Sequence, residues 1–177
     1  MKSKFEPNRT TEEYDRQYNL FYLSLHPYIR TKSLMGSKKE EEQDKSKVAN
    51  IVIYDINNQQ SKTLFEQVNE QEVITHFLFE TAYDKKEKGM EYNRCYSHKI
   101  QNNYDIETRS PLDKLLICQR NLESGKSKLW TANKNGDALL LLAELDKDME
   151  WIVDVYNQKV RTFNRCMDEM KIRDYDW

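Results

Sequence analysis

The chain has 177 residues, a formal net charge of -2 from 28 basic and 30 acidic side chains, and 38% apolar residues, with 11 Tyr, 6 Phe and 3 Trp supplying core bulk. A chain of this length forms one domain with a substantial core, and its interspersed, nearly balanced charges exclude an overall field that would gather nucleic acid or anionic lipid. No window approaches the roughly 18 apolar residues of a membrane-spanning helix, and a mean hydropathy of -0.95 fits a very polar surface.

The basic N-terminus carries no apolar h-region behind it, unlike a secretory leader. Cys95, Cys118 and Cys166 are far apart and odd in number, which argues against a disulfide framework and for a reducing, cytoplasmic setting. In chain order, residues 1–177 divide within one domain into an N-terminal helix and strand over 1–36, a charged loop over 37–47, a β-meander over 48–164 and a C-terminal helix or tail over 165–177. Thr10 and Glu13 have capping-box spacing, which predicts a short helix over "TTEEYDRQY". The aromatic run "YNLFYLSLHPYIRT", interrupted by Pro27, predicts a bent strand. From Ser37 to Lys47, "SKKEEEQDKSK" has no apolar residue and reads as a solvated loop.

From Val48 the pattern becomes β-rich. "VANIVIYDINNQQSKTLF" predicts a strand ending near Asp55, a turn, and a return through Thr63 to Phe65. "EVITHFLFETAYDKKEKGMEYNRCYS" repeats the plan, with Gly89 at a charged tip and Tyr92 and Tyr96 on the return. After the breaks at Asn102-Asn103 and Ser110-Pro111, "DKLLICQRN" predicts another strand, and "LESGKS" turns into "SKLWTANKNGDALLLLAEL". There Asn135-Gly136 predicts a tight two-residue hairpin turn, because both residues tolerate positive φ.

A helical alternative exists for the same C-terminal third. Leu142, Leu145, Met149, Ile152, Tyr156, Val160, Phe163, Met167 and Met170 recur at threes and fours, as on one face of a long helix over 137–171. The β-branched cluster Ile152, Val153 and Val155, the alternation of Trp151, Val153 and Val155, and the Asn157-Gln158 turn favour strands. Such a helix would also be about three times the average length. From Arg165 to Arg173 a short helix is expected under either reading. The fold expected is therefore mainly β, an antiparallel meander of hairpins with short helical ends, the alternative being α+β with the long helix.

"NIVIYDINNQQSKTLF", "KLWTANKNGDALLLL" and "WIVDVYNQKVRTF" share a form: an apolar run, an Asp or Asn, a polar turn, and an apolar return. This hints at an internal repeat. The segment Asp113–Leu145 resembles a blade of TolB-like and WD40-like β-propellers, in which a strand ending in Leu-Trp leads through an Asn/Asp-Lys-Asn-Gly turn into a Leu-rich strand. The hairpin "NIVIYDINNQQSKTLF" is similar to the outer hairpin of such a blade. The resemblance spans about 50 residues and implies blade-like hairpins; at roughly 40 residues per blade the chain holds about three, fewer than the four or so that closure needs. It implies no particular activity, since propellers host both enzymes and scaffolds.

Chemistry is sparse. His26, His76 and His98 stand apart with no Cys-x-x-Cys or His-Glu-x-x-His spacing, so no metal site is expected and each His reads as a surface or interface residue. Four glycines and no P-loop leave no backbone cradle for phosphates, and no cofactor is expected. Ser97 and His98 are neighbours, which on a strand places them on opposite faces, the wrong geometry for a nucleophile and its base. Glu123 and Lys126 flank Gly125 and read as turn residues. The richest polar patch is "YNRCYSHKIQNNYDIETRSP", where Tyr92, Arg94, Tyr96, Asn103, Tyr104 and Arg109 combine aromatic anchors with planar donors, the types enriched at binding hot spots.

The expected function is a non-catalytic protein-interaction module, such as a bacterial adaptor or an inhibitor or immunity-type protein, with another protein as partner and neither membrane nor nucleic acid involved. The alternative is a small metal-dependent hydrolase or nuclease using carboxylates such as Asp105, Glu107 and Asp113.

Overall fold

The computed structural model describes residues 5–32, 39–80, 92–94, 111–154, 157–165 and 170–177, and among them every regular element is a β-strand. β1 (Phe5–Asp15), β2 (Leu20–Lys32), β3 (Lys39–Gln43), β4 (Asn50–Asp55) and β5 (Gln60–Thr63) form sheet I in the order β1-β2-β4-β5, with β3 paired to the far end of β2. β6 (Glu72–Glu80), β7 (Tyr92–Arg94), β8 (Leu115–Asn121), β9 (Ser127–Ala132) and β10 (Leu140–Leu145) form sheet II in the order β10-β9-β8-β6-β7. β11 (Met149–Asp154), β12 (Lys159–Arg165) and β13 (Met170–Asp176) form sheet III. All pairings are antiparallel, and the described strands leave each sheet open.

Alternation along the strands explains how the sheets stack. On β2 and β4, Leu20, Tyr22, Ile51 and Ile53 point one way and pack with Phe77, Phe79, Leu115, Ile117 and Ala132 of sheet II in one core. The opposite face of sheet II, formed by Leu78, Leu116, Cys118, Leu129, Ala143 and Leu145, packs on Val160 and Trp177 of the sheet III region. Sheet II is thus the middle layer, buried on both sides. This is why "FLF" in β6 and "LLIC" in β8 are continuous apolar runs, as in sheets covered on both faces. A bulge between Ile74 and His76 resets the alternation, so Ile74 and Phe77 both join the first core. His76 then meets the Trp151 ring edge-on, with centroids 5.1 Å apart.

One turn recurs in all three sheets. Asp15 Oδ1 accepts the N–H groups of Gln17 and Tyr18 at 2.9 and 3.2 Å, and Asn19 follows at φ 54°. Asp55 Oδ1 does the same for Asn57 and Asn58, before Gln59 at φ 53°. Asn121 serves Glu123 and Ser124, before Gly125 at φ 72°. Asp154 Oδ1 accepts from Asn157, before Gln158 at φ 53°. In each case an Asp or Asn side chain satisfies the backbone of a four-residue loop whose last member is left-handed. At Asp55 and Asp154 this is the physical content of the repeated apolar run, Asp or Asn, and polar turn, whereas the Asn133 hairpin closes through its backbone.

The ends of the chain are strands rather than the short helices expected. "TTEEY" lies in β1, where Tyr14 pairs with Phe21 and Glu13 with Tyr22. The capping-box spacing is outweighed by pairing to the most apolar strand of sheet I. Residues 170–176 form β13, where pairing to Lys159–Arg165 overrides the helical spacing of Met167 and Met170. The expected loop over 37–47 contains β3: β4 covers only Leu20–Leu25 of β2, and β3 supplies hydrogen-bonding partners to Tyr28–Lys32, with Arg30 opposite Glu41 in the register. The long helix over 137–171 does not form, since β10 to β13 occupy it. The Asn135-Gly136 hairpin is real but its turn is longer than two residues: Gly136 N–H donates to Asn133 O at 2.7 Å and Asn133 N–H to Asp137 O at 2.8 Å. Gly136 has φ 82°, the left-handed residue of a three-residue loop.

Candidate interaction site

At one end of sheets I and II, segments distant in sequence meet around Lys134, in the β9–β10 turn. Its ammonium is wholly buried, 2.6 Å from Asp15 Oδ2, and Asp15 is itself 2% exposed. It donates to the Glu80 carbonyl at 2.7 Å and lies over the Tyr18 ring, 4.5 Å from its centroid. The Lys134 backbone is held as well: its N–H donates to Asp113 Oδ1 at 3.0 Å and its carbonyl accepts from the Tyr22 hydroxyl at 3.0 Å. Glu80, also buried, accepts the Leu112 N–H on Oε2 at 2.7 Å.

The physical reason for this arrangement is charge compensation. An isolated ammonium or carboxylate taken out of water costs several kcal/mol, and Asp15 and Lys134 offset each other, with backbone groups and an aromatic face meeting the remaining protons. Burial, and then the nearby Asp113 and Asp15 carboxylates, push the Tyr18 hydroxyl above its ordinary range. Burial followed by Asp15 and Asp113 does the same more strongly at Tyr22. Both phenols therefore stay neutral hydrogen-bonding groups. Lys134 is enclosed on all sides by its partners, so the cluster is suited to holding chain segments together and not to attacking a substrate.

What it holds is the connection from β6 to β8. Glu80 is the last residue of β6, and Leu112 and Asp113 lead into β8. Lys134 and Glu80 clamp both roots of that connection. The sequence-predicted binding residues lie on it. Tyr92 and Arg94 fall on β7, at register positions opposite Glu80 and Leu78. Tyr96, Asn103, Tyr104 and Arg109 lie outside the described residues, as do His98, Asp105 and Glu107. The Asp113 carboxylate, a sequence candidate for metal-dependent hydrolysis, instead accepts the Lys134 N–H. Among the described residues no three His, Cys, Asp or Glu side chains gather to hold a metal ion.

Other sequence candidates take structural roles. His26 is buried, with Nδ1 2.7 Å from the Lys47 carbonyl, in contrast to the surface position expected. Asn121, Ser124 and Lys126 build the β8–β9 turn, and Lys126 pairs with Asp146 at 2.8 Å. Cys118 is a buried free thiol, raised above its ordinary value by burial. Sequence reasoning missed Lys134, because a Lys inside "NKNG" reads as a solvated turn residue. No local signal marks its burial, which depends on residues 15, 80 and 113 arriving from elsewhere. No family model, curated protein or solved structure matches the chain.

Proposed function

We propose that the chain is a non-catalytic protein-interaction module, of the adaptor or inhibitor kind, built on blade-like sheets. It meets another protein through the β6–β8 connection, with Tyr92, Arg94, Tyr96, Asn103, Tyr104 and Arg109 as contact residues. The observation that carries this reading is the clamp at the roots of that connection by Lys134, Glu80 and Asp113. A recognition segment presented from fixed roots loses less conformational freedom on binding than one on loose ends. The residue types on it, Tyr and Arg with Asn, are those that concentrate binding energy in a few positions.

The test is to capture the partner from the native host, identify it by mass spectrometry, and measure its affinity for purified variants. Tyr104→Ala or Arg109→Ala weakens binding by roughly 2 kcal/mol, about 30-fold, with the fold unchanged. Lys38→Ala and Lys45→Ala, charges of the kind that contribute little at a rim, change it by less than about threefold. Equal affinity in all four variants refutes the site.

A further inference from the structure

We propose that Lys134 and Asp15 form a self-modification site, at which the folded chain condenses the lysine amine with the aspartate carboxyl into an amide cross-link and releases water. Both side chains are buried, at 0% and 2% exposure, and Nζ stands 2.6 Å from Asp15 Oδ2. Yet Oδ2 receives no aligned hydrogen bond. The nitrogen thus crowds the carboxyl group off the line of a hydrogen bond. Cγ is one bond beyond that oxygen, which brings nitrogen and carbon near the about 3 to 3.5 Å of a near-attack pair.

The other carboxyl oxygen is held where charge would develop. Asp15 Oδ1 accepts the Gln17 and Tyr18 N–H groups at 2.9 and 3.2 Å, two donors suited to stabilising a tetrahedral oxyanion. The Glu80 carbonyl fixes the nitrogen, accepting one of its protons at 2.7 Å. Burial also reverses the usual preference between salt and amide. In water the ammonium and carboxylate are favoured because hydration stabilises both ions. At a site closed to solvent that hydration is lost, and a neutral amide with a released water is favoured instead.

The step balances within the pair. Nζ passes one proton to Oδ2, giving a neutral amine and a carboxylic acid. The nitrogen lone pair attacks Cγ, the C–N bond forms, and Oδ1 carries the charge. As the carbonyl re-forms, the Cγ–Oδ2 bond breaks, and Oδ2 takes a second proton from the nitrogen and leaves as water. No co-reactant is consumed. The ion pair is the state before condensation. The Tyr18 and Phe79 rings, 4.5 and 5.7 Å from Nζ, favour the cation, so the first proton transfer is slow compared with folding and the amide accumulates with age. Once formed, it ties the end of β1 to the β9–β10 turn, sheet I to sheet II, and closes a loop of about 120 residues that unfolding cannot open.

The test is the intact mass of the full chain, fresh and over a week at neutral pH, beside the same chain kept in guanidinium chloride. The folded chain loses one water, about 18 Da, and the denatured chain does not. Trypsin then releases residues 10–16 joined to residues 129–147, uncut after Lys134. Lys134→Arg, which keeps a cation but lacks the amine, stays at full mass. A folded wild type that keeps its full mass throughout overturns the proposal. So does a loss that maps to other residues or proceeds equally in denaturant. The wild-type arms decide the matter alone, whether or not the variant folds.

Discussion

Lys134 offers the sharpest perturbation. Lys134→Met keeps the aliphatic volume against the Tyr18 ring and removes the ammonium. Four interactions go with it: the ion pair with Asp15, the hydrogen bond to the Glu80 carbonyl, and the contacts of the cation with the Tyr18 and Phe79 rings. Breaking one side of a buried pair costs about 3 to 5 kcal/mol, because the other charge stays buried and uncompensated. Out of a total stability of roughly 5 to 15 kcal/mol, that is a large fraction. Asp15→Asn in the same chain removes the orphaned charge while keeping an oxygen to accept from Gln17 and Tyr18. The double variant is therefore more stable than Lys134→Met alone, by about 2 kcal/mol. Urea unfolding at neutral pH, followed by tryptophan fluorescence and circular dichroism, measures all four corners of the cycle. A loss below about 1 kcal/mol for Lys134→Met, or a coupling energy near zero, would refute the clamp as a stabilising charge pair.

Gly136→Ala should destabilise by about 2 kcal/mol or more, since its new Cβ would lie 2.6 Å from Ile53 Cδ1 at a φ of 82°. Gly125→Ala should lose only about 1 kcal/mol, because its Cβ meets ordinary contacts and the cost is the left-handed backbone alone; thermal unfolding ranks the two. Gln59→Gly should be neutral or stabilising by up to about 1 kcal/mol, relieving a side chain held at φ 53°. Asp55 is held below its ordinary value of 3.8 by the Asn58 backbone and side chain. A lowered carboxylate contributes stability above the unfolded value that is lost as pH falls through the folded one. An NMR titration should place Asp55 below 3.8, and Asp55→Asn should keep the turn, as Asn121 does in its own. Buried Cys118 should resist alkylation until the chain unfolds, as peptide-level mass spectrometry can read.

Much of the fold is written locally. The β-branched and aromatic runs and the Asp or Asn before each turn mark hairpins at Asp55, Asn133 and Asp154. The double burial of sheet II is legible as the missing alternation in "FLF" and "LLIC". Asp15 begins the same turn as Asp55, yet its residues sit inside "TTEEYDRQY", where capping-box chemistry and strand pairing use the same side chains. Only the partner strand decides between them. The β3 segment is illegible for a related reason, since its lysines and glutamates become a strand because β2 outruns β4. The candidate site divides likewise. Its aromatic and basic residues stand out by type, whereas the clamp at the roots of their segment joins positions 15, 80, 113 and 134, and no spacing rule connects those.

Fixed roots also change what the intervening chain is free to become. Once Glu80, Leu112 and Asp113 are tied at the Lys134 turn, closing the connection no longer depends on the residues between them. Lengthening a closed loop is inexpensive, about 0.6 kcal/mol for each doubling, and the two buried clusters that join the layers are built, among the described residues, from positions outside 81–111. Insertions between β7 and either root are therefore the changes this framework should accept at least cost, with β7 itself kept as the edge strand of sheet II. On the proposed reading of the connection as the contact segment, specificity can diverge faster than the fold.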